Sequence, residues 1–317
     1  MGGNIGSGQS TERLRADSAG IERAARLLDQ GQLVAVPTET VYGLAARADR
    51  AEAVAEIYRA KGRPEFNPLI VHVLDLADAT RLAEVDDRAR RLAATFWPGP
   101  LTMVLPKKPN APVAPAVTAG LDTIALRCPA HPAMRALLGE TGLSLAAPSA
   151  NPSGAVSPTT ADHVLAGLDG RIAAVVDGGA SGRGLESTIV ALRNSGWQVL
   201  RPGPIAEAEI AALLGGPMTS PIGKIEAPGQ LASHYAPGKP MRLGAAVAEG
   251  DEFLIGFGNV TGDCSLSPNG DLAEAAAALY ACLHEAAAAD HPRIAVAPIP
   301  EEGIGTAIND RLRRAAA

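Results

Sequence analysis

The sequence predicts an α/β protein: a sheet covered by helices, followed by a second and smaller α/β unit. Three observations carry that prediction. Short apolar runs alternate along the chain with segments whose apolar residues recur at helical spacing, which is how strands and covering helices read in turn. Composition changes near residue 215, where a Pro- and Gly-rich stretch with few apolar pairs reads as an interdomain linker. Beyond residue 240 strand and helix patterns resume over enough chain for a small second domain. With 317 residues, the chain has room for two domains and a sizeable core.

Taken in order, residues 1–17 read as a flexible tail. Its first ten residues are Gly- and Ser-rich and lack the apolar core of a signal peptide, and Gly6 stands where a myristoylation signal wants Ser or Thr. The first domain is expected over residues 18–215. Ser18 can cap a helix that carries Ile21, Ala24, Ala25, Leu27 and Leu28 on its apolar side, and Gly31 ends it. An apolar strand over 33–36 stops at Pro37, a helix follows over 51–60, and 69–73 reads as a buried strand. Further strands are expected at 101–105, 124–127, 143–147, 173–176, 188–192 and 198–201, and further helices at 89–96, 132–138, 161–165 and 207–214. The linker covers 216–240 and is expected to act as a lid. The second domain, 241–317, contributes a strand at 253–257, an Ala-rich helix at 272–289, a strand at 294–297 and a terminal helix from 307.

Bulk properties exclude several function classes. The net charge of −6 argues against a broad nucleic-acid-binding face, and 3% aromatic residues leave few stacking platforms for single strands. The three cysteines contain no C-x-x-C pair, which fits a reducing cytoplasm and gives no zinc spacing. The six histidines are scattered, so a protein-bound transition metal is not expected. No apolar run is long enough to span a membrane.

Chemistry concentrates in a few strings. Lys61-Gly62-Arg63-Pro64 with Asn67-Pro68-Leu69, and Ser149-Ala150-Asn151-Pro152, together read as a polyphosphate site. They combine a point charge, a planar cationic fork and neutral donors on Pro-stiffened loops. There is no G-x-x-x-x-G-K-[ST], so a nucleotide here is not held by a P-loop. Pro37-Thr38-Glu39-Thr40-Val41-Tyr42-Gly43 follows a strand, where ligand crevices of α/β sheets lie; the plainer reading is a capped turn. Arg127, ending a strand, is shaped to grip a carboxylate or to sit in an ion pair. His72, inside an apolar run, reads by itself as a core histidine. The glycine loop 178–184 before Glu186-Ser187-Thr188-Ile189 suits either an anion or a plain hairpin. Gly256-Phe257-Gly258 lacks the third glycine of a dinucleotide fingerprint and reads as a turn. His234-Tyr235-Ala236-Pro237 in the linker suits a loop closing over a site, or a solvated pair without a role.

In combination these strings, with Ile70-Val71-His72 and Leu200-Arg201-Pro202-Gly203, resemble the threonylcarbamoyl-adenylate synthase family in its long two-domain form with a YrdC-like catalytic domain. They lie in the family's order over residues 20–240, and residues 241–317 resemble its C-terminal domain in size and α/β pattern. The resemblance implies a YrdC-like twisted mixed sheet with flanking helices plus a small Rossmann-like α/β domain. It also implies a reaction of L-threonine, bicarbonate and ATP, the last with Mg²⁺, to threonylcarbamoyl-AMP and pyrophosphate. Downstream tRNA threonylcarbamoyl-transfer proteins would use the product, and the enzyme itself would make at most a weak tRNA contact in the cytoplasm, away from membranes.

Matching motif positions, the resemblance implies roles for individual residues. Lys61, Arg63, Ser149 and Asn151 would serve catalysis at the phosphates. Arg63, Asn67, Thr123, Ser149, Ser157, Arg201 and His234 would bind ATP. Thr40, His72, Arg127, Ala147 and Ser187 would bind threonine, Tyr235 would help seal the pocket as part of a lid, and no protein residue would ligate a metal. Two alternatives stand beside this: a non-catalytic RNA-binding YrdC-like module, disfavoured by the acidity, and a hydrogenase-maturation carbamoyltransferase, whose cysteine clusters and acylphosphatase-like segment are missing from this chain.

Overall fold

The computed structural model describes residues 10–217, 226–229 and 234–317. Its elements in chain order are β1 (Glu12–Arg15), α1 (Ser18–Asp29), β2 (Val34–Pro37), β3 (Tyr42–Arg47), α2 (Ala51–Lys61), β4 (Ile70–His72), α3 (Leu76–Leu82), α4 (Asp87–Phe96), β5 (Leu101–Pro106), β6 (Thr123–Arg127), α5 (Pro132–Thr141), β7 (Leu145–Ala146), α6 (Ala161–Leu168), β8 (Ala174–Asp177), β9 (Thr188–Arg193), β10 (Gly196–Arg201) and α7 (Glu207–Leu214). The smaller unit adds β11 (Met241–Leu243), β12 (Glu252–Gly256), β13 (Cys264–Ser265), α8 (Leu272–Ala288), β14 (Arg293–Val296) and α9 (Gly305–Ala315).

Ten strands form one mixed sheet in the order β1-β8-β2-β3-β7-β4-β6-β5-β9-β10. Its two main cores lie on either side of the central strands. One packs Leu44, Val71, Met103 and Leu126 against α2 and α4; the other packs Val34, Val36 and Val176 against α1 and α5. The alternation of facing residues places each strand between layers, as expected for a covered sheet. The second sheet, β11-β14-β12-β13, is parallel throughout, which requires crossovers such as α8 between its strands.

Two expectations need correction. Residues 1–17 are not wholly a tail: β1 runs parallel to β8 from Glu12↔Ala174 to Arg15↔Asp177 and forms the sheet edge. The first helix is capped by Asp17, which has extended backbone angles and accepts from the Gly20 amide, rather than by Ser18. The segment after Pro37 is a tight reversal into β3, which returns antiparallel to β2 with Pro37 opposite Tyr42. The structure also contains α3, which the sequence reading passed over.

The smaller unit does not stand apart. Val41, Val156 and Leu185 of the large unit, with Tyr235, join the same apolar cluster as Ile255, Leu279 and Leu283. Gly184, at φ +65°, lets α8 press against the large unit: a Cβ there would lie 2.3 Å from the Ala276 carbonyl oxygen. Among the described residues, no helix is long and apolar enough to cross a membrane.

Candidate active site

The site is built on three neighbouring strands, β4 and β6 running parallel and β7 antiparallel to β4. Parallel pairing of β4 with β6 sets His72 opposite Arg127, and antiparallel pairing of β5 with β6 sets Thr102 opposite Arg127. The chain leaving β7 stays in register: Ala147 donates its amide to the Ile70 carbonyl, and Ser149 bridges Gly43. Gly43 is needed there, since a Cβ would come within 3.3 Å of the Ala147 Cβ. The third wall comes from the end of α2, where Gly62 takes the left-handed conformation at φ +60° and turns the chain into Arg63. The fourth comes from β10, whose register shifts between Val199 and Arg201 and so aims Arg201 inward.

These walls enclose a cavity of about 40 Å³ lined by Arg63, His72, Arg127, Ala147, Ser149, Arg201, His234 and Tyr235 of the expected set, together with Thr38, Gly43 and Glu186. Pro228 and Gly229 close it from the linker side. Tyr235 is fully buried and held in the left-handed region at φ +65°, and its ring lies 4.1 Å from that of His234. Gly229 packs so closely that a Cβ would meet Arg201 Cδ at 2.7 Å. Residues 218–225 and 230–233, part of the expected linker lid, lie outside the described residues.

The cations divide into two groups. At one end, Lys61 donates through Nζ to the Ser149 carbonyl (2.6 Å) and to the Asn151 carbonyl. Arg63 donates to the carbonyls of Asn67 (3.1 Å) and Pro68 (2.9 Å). Arg201 donates to the Ser187 carbonyl (3.0 Å) and hydroxyl (3.1 Å). At the other end, Arg127 donates to Glu39 Oε1 (2.6 Å) and Thr40 Oγ1 (2.8 Å). Ser187 links the ends, because its hydroxyl also pairs with Thr102 Oγ1 at 2.7 Å.

Apart from the loop carbonyls they hold, Lys61 and Arg63 face no carboxylate partner among the described ion pairs, and burial shows in their protonation. Burial and the neighbouring Arg63 push Lys61 well below its ordinary value, and burial pushes Arg63 down to about 10. An anion placed between them would relieve both effects. Buried polar atoms without a partner point the same way. Seven such atoms occur among the described residues, and five belong to the expected site: both ring nitrogens of His72, Asn67 Oδ1, Asn151 Oδ1 and His234 Nδ1. Native interiors leave few such atoms, and three of these five, on His72 and His234, belong to residues that line the cavity, which marks a place for a polar ligand.

Some expected residues sit behind the wall. Ser157 donates to Glu186 Oε1 at 2.6 Å. Asn151 uses its Nδ2 on the Pro152 and Ala155 carbonyls. Thr123 begins β6 and is thus at the opposite end of that strand from Arg127. The glycine loop 178–184 is not a free anion cradle: the amides of Ser181 and Arg183 already donate to the Thr159 and Glu39 carbonyls. Sequence reading assigned no role to two acids the structure brings forward. Glu39 pairs with Arg127 and accepts from the Ala130 amide at 2.9 Å. Burial alone would raise the Glu186 carboxyl, but Arg311 and Arg201, with the Ser157 hydroxyl, hold it down to about 2.

The buried histidines give a stability prediction. Burial, aided by Arg127, lowers His72 to about 3; burial lowers His234 to about 4, and burial with His163 lowers His284 to about 4. Each is neutral when folded, so its contribution is complete above about pH 6.5 and is lost as pH falls toward the folded value. Glu186 works in the same direction lower down, losing its contribution between its ordinary range and about 2. The urea midpoint should therefore fall steadily from pH 7 to pH 4, with His72 alone accounting for on the order of 3 kcal/mol. A midpoint that stays flat to pH 4.5 would contradict neutral, buried histidines.

Comparison with known proteins adds to this geometry. Residues 26–203 match the family described as Telomere recombination, the Sua5/YciO/YrdC group, and residues 205–317 match the family described as Threonylcarbamoyl-AMP synthase, C-terminal domain. The threonylcarbamoyl-AMP synthase of Bacillus subtilis (strain 168) is 40% identical over 332 residues, covering 96% of this chain and 95% of that protein. The threonylcarbamoyl-AMP synthase of Pyrococcus abyssi is 37% identical over 327 residues, covering 96% of each. A crystal structure of P. abyssi Sua5 complexed with L-threonine superposes with a TM-score of 0.87 at 35% identity over 96% of both chains. Full-length HypF, at 23% identity and a TM-score of 0.52, shares the fold over 58% of this chain.

Proposed function

The chain belongs to the threonylcarbamoyl-AMP synthase family, in the long form that carries the family's C-terminal domain, and from that premise we propose how its cavity performs the chemistry. The protein is an enzyme of nucleotidyltransferase type that forms threonylcarbamoyl-AMP for tRNA threonylcarbamoyladenosine biosynthesis. Its substrates in this reading are L-threonine, bicarbonate and ATP.

One observation carries the reading: Arg63 and Arg201 line the cavity from the end of α2 and from β10, with Lys61 behind them on the Ser149 carbonyl, while Arg127 and His72 line it from β6 and β4, with Thr40 held on Arg127. A polyphosphate fits the first group and an amino acid the second. The relative crystallised with L-threonine supports an amino-acid pocket in this fold. Threonine would place its carboxylate on Arg127, with Ser187 and Thr40 beside it. Its amine would face the unpartnered nitrogens of neutral His72, near the Ala147 backbone. The neutral amine takes up bicarbonate as a carbamate with loss of water. A carbamate oxygen then attacks the α-phosphorus in line, and pyrophosphate leaves. Lys61, Arg63 and Arg201 would neutralise the phosphates, with Asn67, Ser149, Asn151, Ser157 and His234 supplying neutral contacts. An extended nucleotide would run along β6 to reach Thr123.

Mg²⁺ belongs to the ATP as part of the substrate. The two carboxylates nearest the cavity do not suit a metal, since Glu39 and Glu186 are each held by an arginine. A cavity of about 40 Å³ is far smaller than the roughly 300–1,000 Å³ of a usual ligand site. Substrates therefore enter by displacing Pro228, Gly229, His234 and Tyr235, whose return would shield the labile carbamate from water. A cytoplasmic location fits the three free thiols, and the product would pass to tRNA threonylcarbamoyl-transfer proteins, with only a weak tRNA contact by the enzyme itself.

The test is omission. Purified protein should release pyrophosphate from ATP only when L-threonine and bicarbonate are both present. Release without either, or none with both, would overturn the reading. A non-catalytic RNA-binding role is disfavoured because Arg63, Arg127 and Arg201 face a closed cavity rather than a surface.

A further inference from the structure

We propose that Arg311, in the terminal helix of the small domain, is a positioning residue for the nucleotide end of the cavity; this rests on the reading above. Its side chain is wholly buried, although it lies 125 residues along the chain from its main partner. Its Nε donates to Glu186 Oε2 at 2.9 Å, one terminal nitrogen to Asp310 at 2.7 Å, and the other to the Pro202 carbonyl at 2.9 Å. The guanidinium carbon also stands 5.3 Å from the centre of the Tyr235 ring. Tyr280, on α8, donates its hydroxyl to the same Glu186 oxygen at 2.8 Å.

Glu186 passes these contacts on to the expected ATP site. Its other oxygen holds the Ser157 hydroxyl at 2.6 Å. The next residue, Ser187, receives Arg201 through its carbonyl and hydroxyl. Pro202, whose carbonyl Arg311 fixes, directly follows Arg201. A second contact from α8 reinforces the arrangement: His284 pairs with the Ser157 carbonyl at 3.1 Å and stacks on His163 with ring centres 3.9 Å apart. Arg311 thus holds three things at once: the carboxylate that orients Ser157, the backbone that carries Arg201, and the tyrosine of the closing segment. The planar fork is required, because an ammonium at this distance cannot reach Glu186 and Pro202 in the same geometry.

A purely structural ion pair is the competing explanation. Buried pairs are often replaceable by apolar residues without loss of stability, whereas removal of one partner strands the other charge. Two variants separate the explanations: Arg311→Lys, and the double variant Glu186→Gln/Arg311→Met, which removes both charges of the pair and leaves Asp310 its ion pair with Arg314 at 3.0 Å. Titration calorimetry with ATP and with L-threonine separately reads both sites without turnover, so the result stands apart from whether the assigned reaction is correct.

Both variants should bind ATP about tenfold more weakly, as expected for losing a charge-assisted contact. L-threonine affinity of Arg311→Lys should stay at the full-length wild-type value, and the double variant should melt close to wild type. KM for ATP should rise while KM for threonine does not. Recovery of wild-type ATP affinity in the double variant would make the pair structural only and overturn the proposal. Equal losses for ATP and threonine would overturn it as well.

Discussion

Replacing Lys61 with alanine should lower threonine-dependent pyrophosphate release at least about 100-fold, the scale seen when a preorganised group that stabilises developing charge is removed. Lys61 is the compact charge of the proposed phosphate end, and burial has already stripped it of water. The substitution also frees the carbonyls of Ser149 and Asn151. A drop of a few °C in Tm is therefore expected, since an unsatisfied buried carbonyl costs about 1–3 kcal/mol. The fold should persist, because the apolar cores are untouched. A Lys61→Ala protein with near wild-type release, measured by coupled pyrophosphate assay, would remove Lys61 from the phosphate site.

Arg127→Lys should weaken L-threonine binding by about 10- to 100-fold and leave ATP binding nearly unchanged. Arg127 uses Nη2 on both Glu39 and Thr40 and Nε on the Gly99 carbonyl at 3.4 Å, which fixes the plane of the fork and leaves Nη1 to meet a carboxylate. Lysine keeps the charge, but it would follow Glu39 as a point charge and present no second prong. Calorimetric titrations with each ligand alone separate the two effects. Equal losses for threonine and ATP would mean that Arg127 does not belong to the amino-acid end.

Much of the site was legible because its residues sit in short strings with mixed charge and proline. Local sequence announces such strings, and register does the rest. His72 and Arg127 meet because β4 and β6 pair in parallel with those two residues opposite, and nothing within five residues of either predicts that pairing. His72 shows the limit of local reading: inside an apolar run it resembles a core histidine, and only its two unpartnered nitrogens mark it as part of the cavity. Glu39 stood in a quoted string yet had no role, because its role depends on Arg127 across 88 residues. Arg311 was invisible for the same reason, since a basic residue in a terminal amphipathic helix ordinarily reads as solvated.

The fold was legible where apolar runs were bounded by Pro or Gly. β1 was missed because its four residues alternate charge with a single buried Leu14, and its place is set by pairing with β8 far along the chain. β3 was missed because Tyr42–Arg47 begins within the ligand-like string, and its small residues Gly43, Ala45 and Ala46 carry little strand propensity. Burial on both faces, rather than propensity, makes it a strand. The small domain's α/β pattern was readable, but its shared apolar cluster with the large unit was not, because Val41, Val156 and Leu185 have no local signature of an interface.

The most direct measurement follows the carbon of bicarbonate. The full-length protein would be incubated with ¹³C-bicarbonate, L-threonine and Mg²⁺-ATP, and the nucleotide products resolved by mass spectrometry. The account predicts threonylcarbamoyl-AMP carrying the label, formed in step with pyrophosphate. AMP or ADP without a labelled threonine adduct would contradict the claim that one closed cavity joins an amino acid, a carbon donor and a nucleotide.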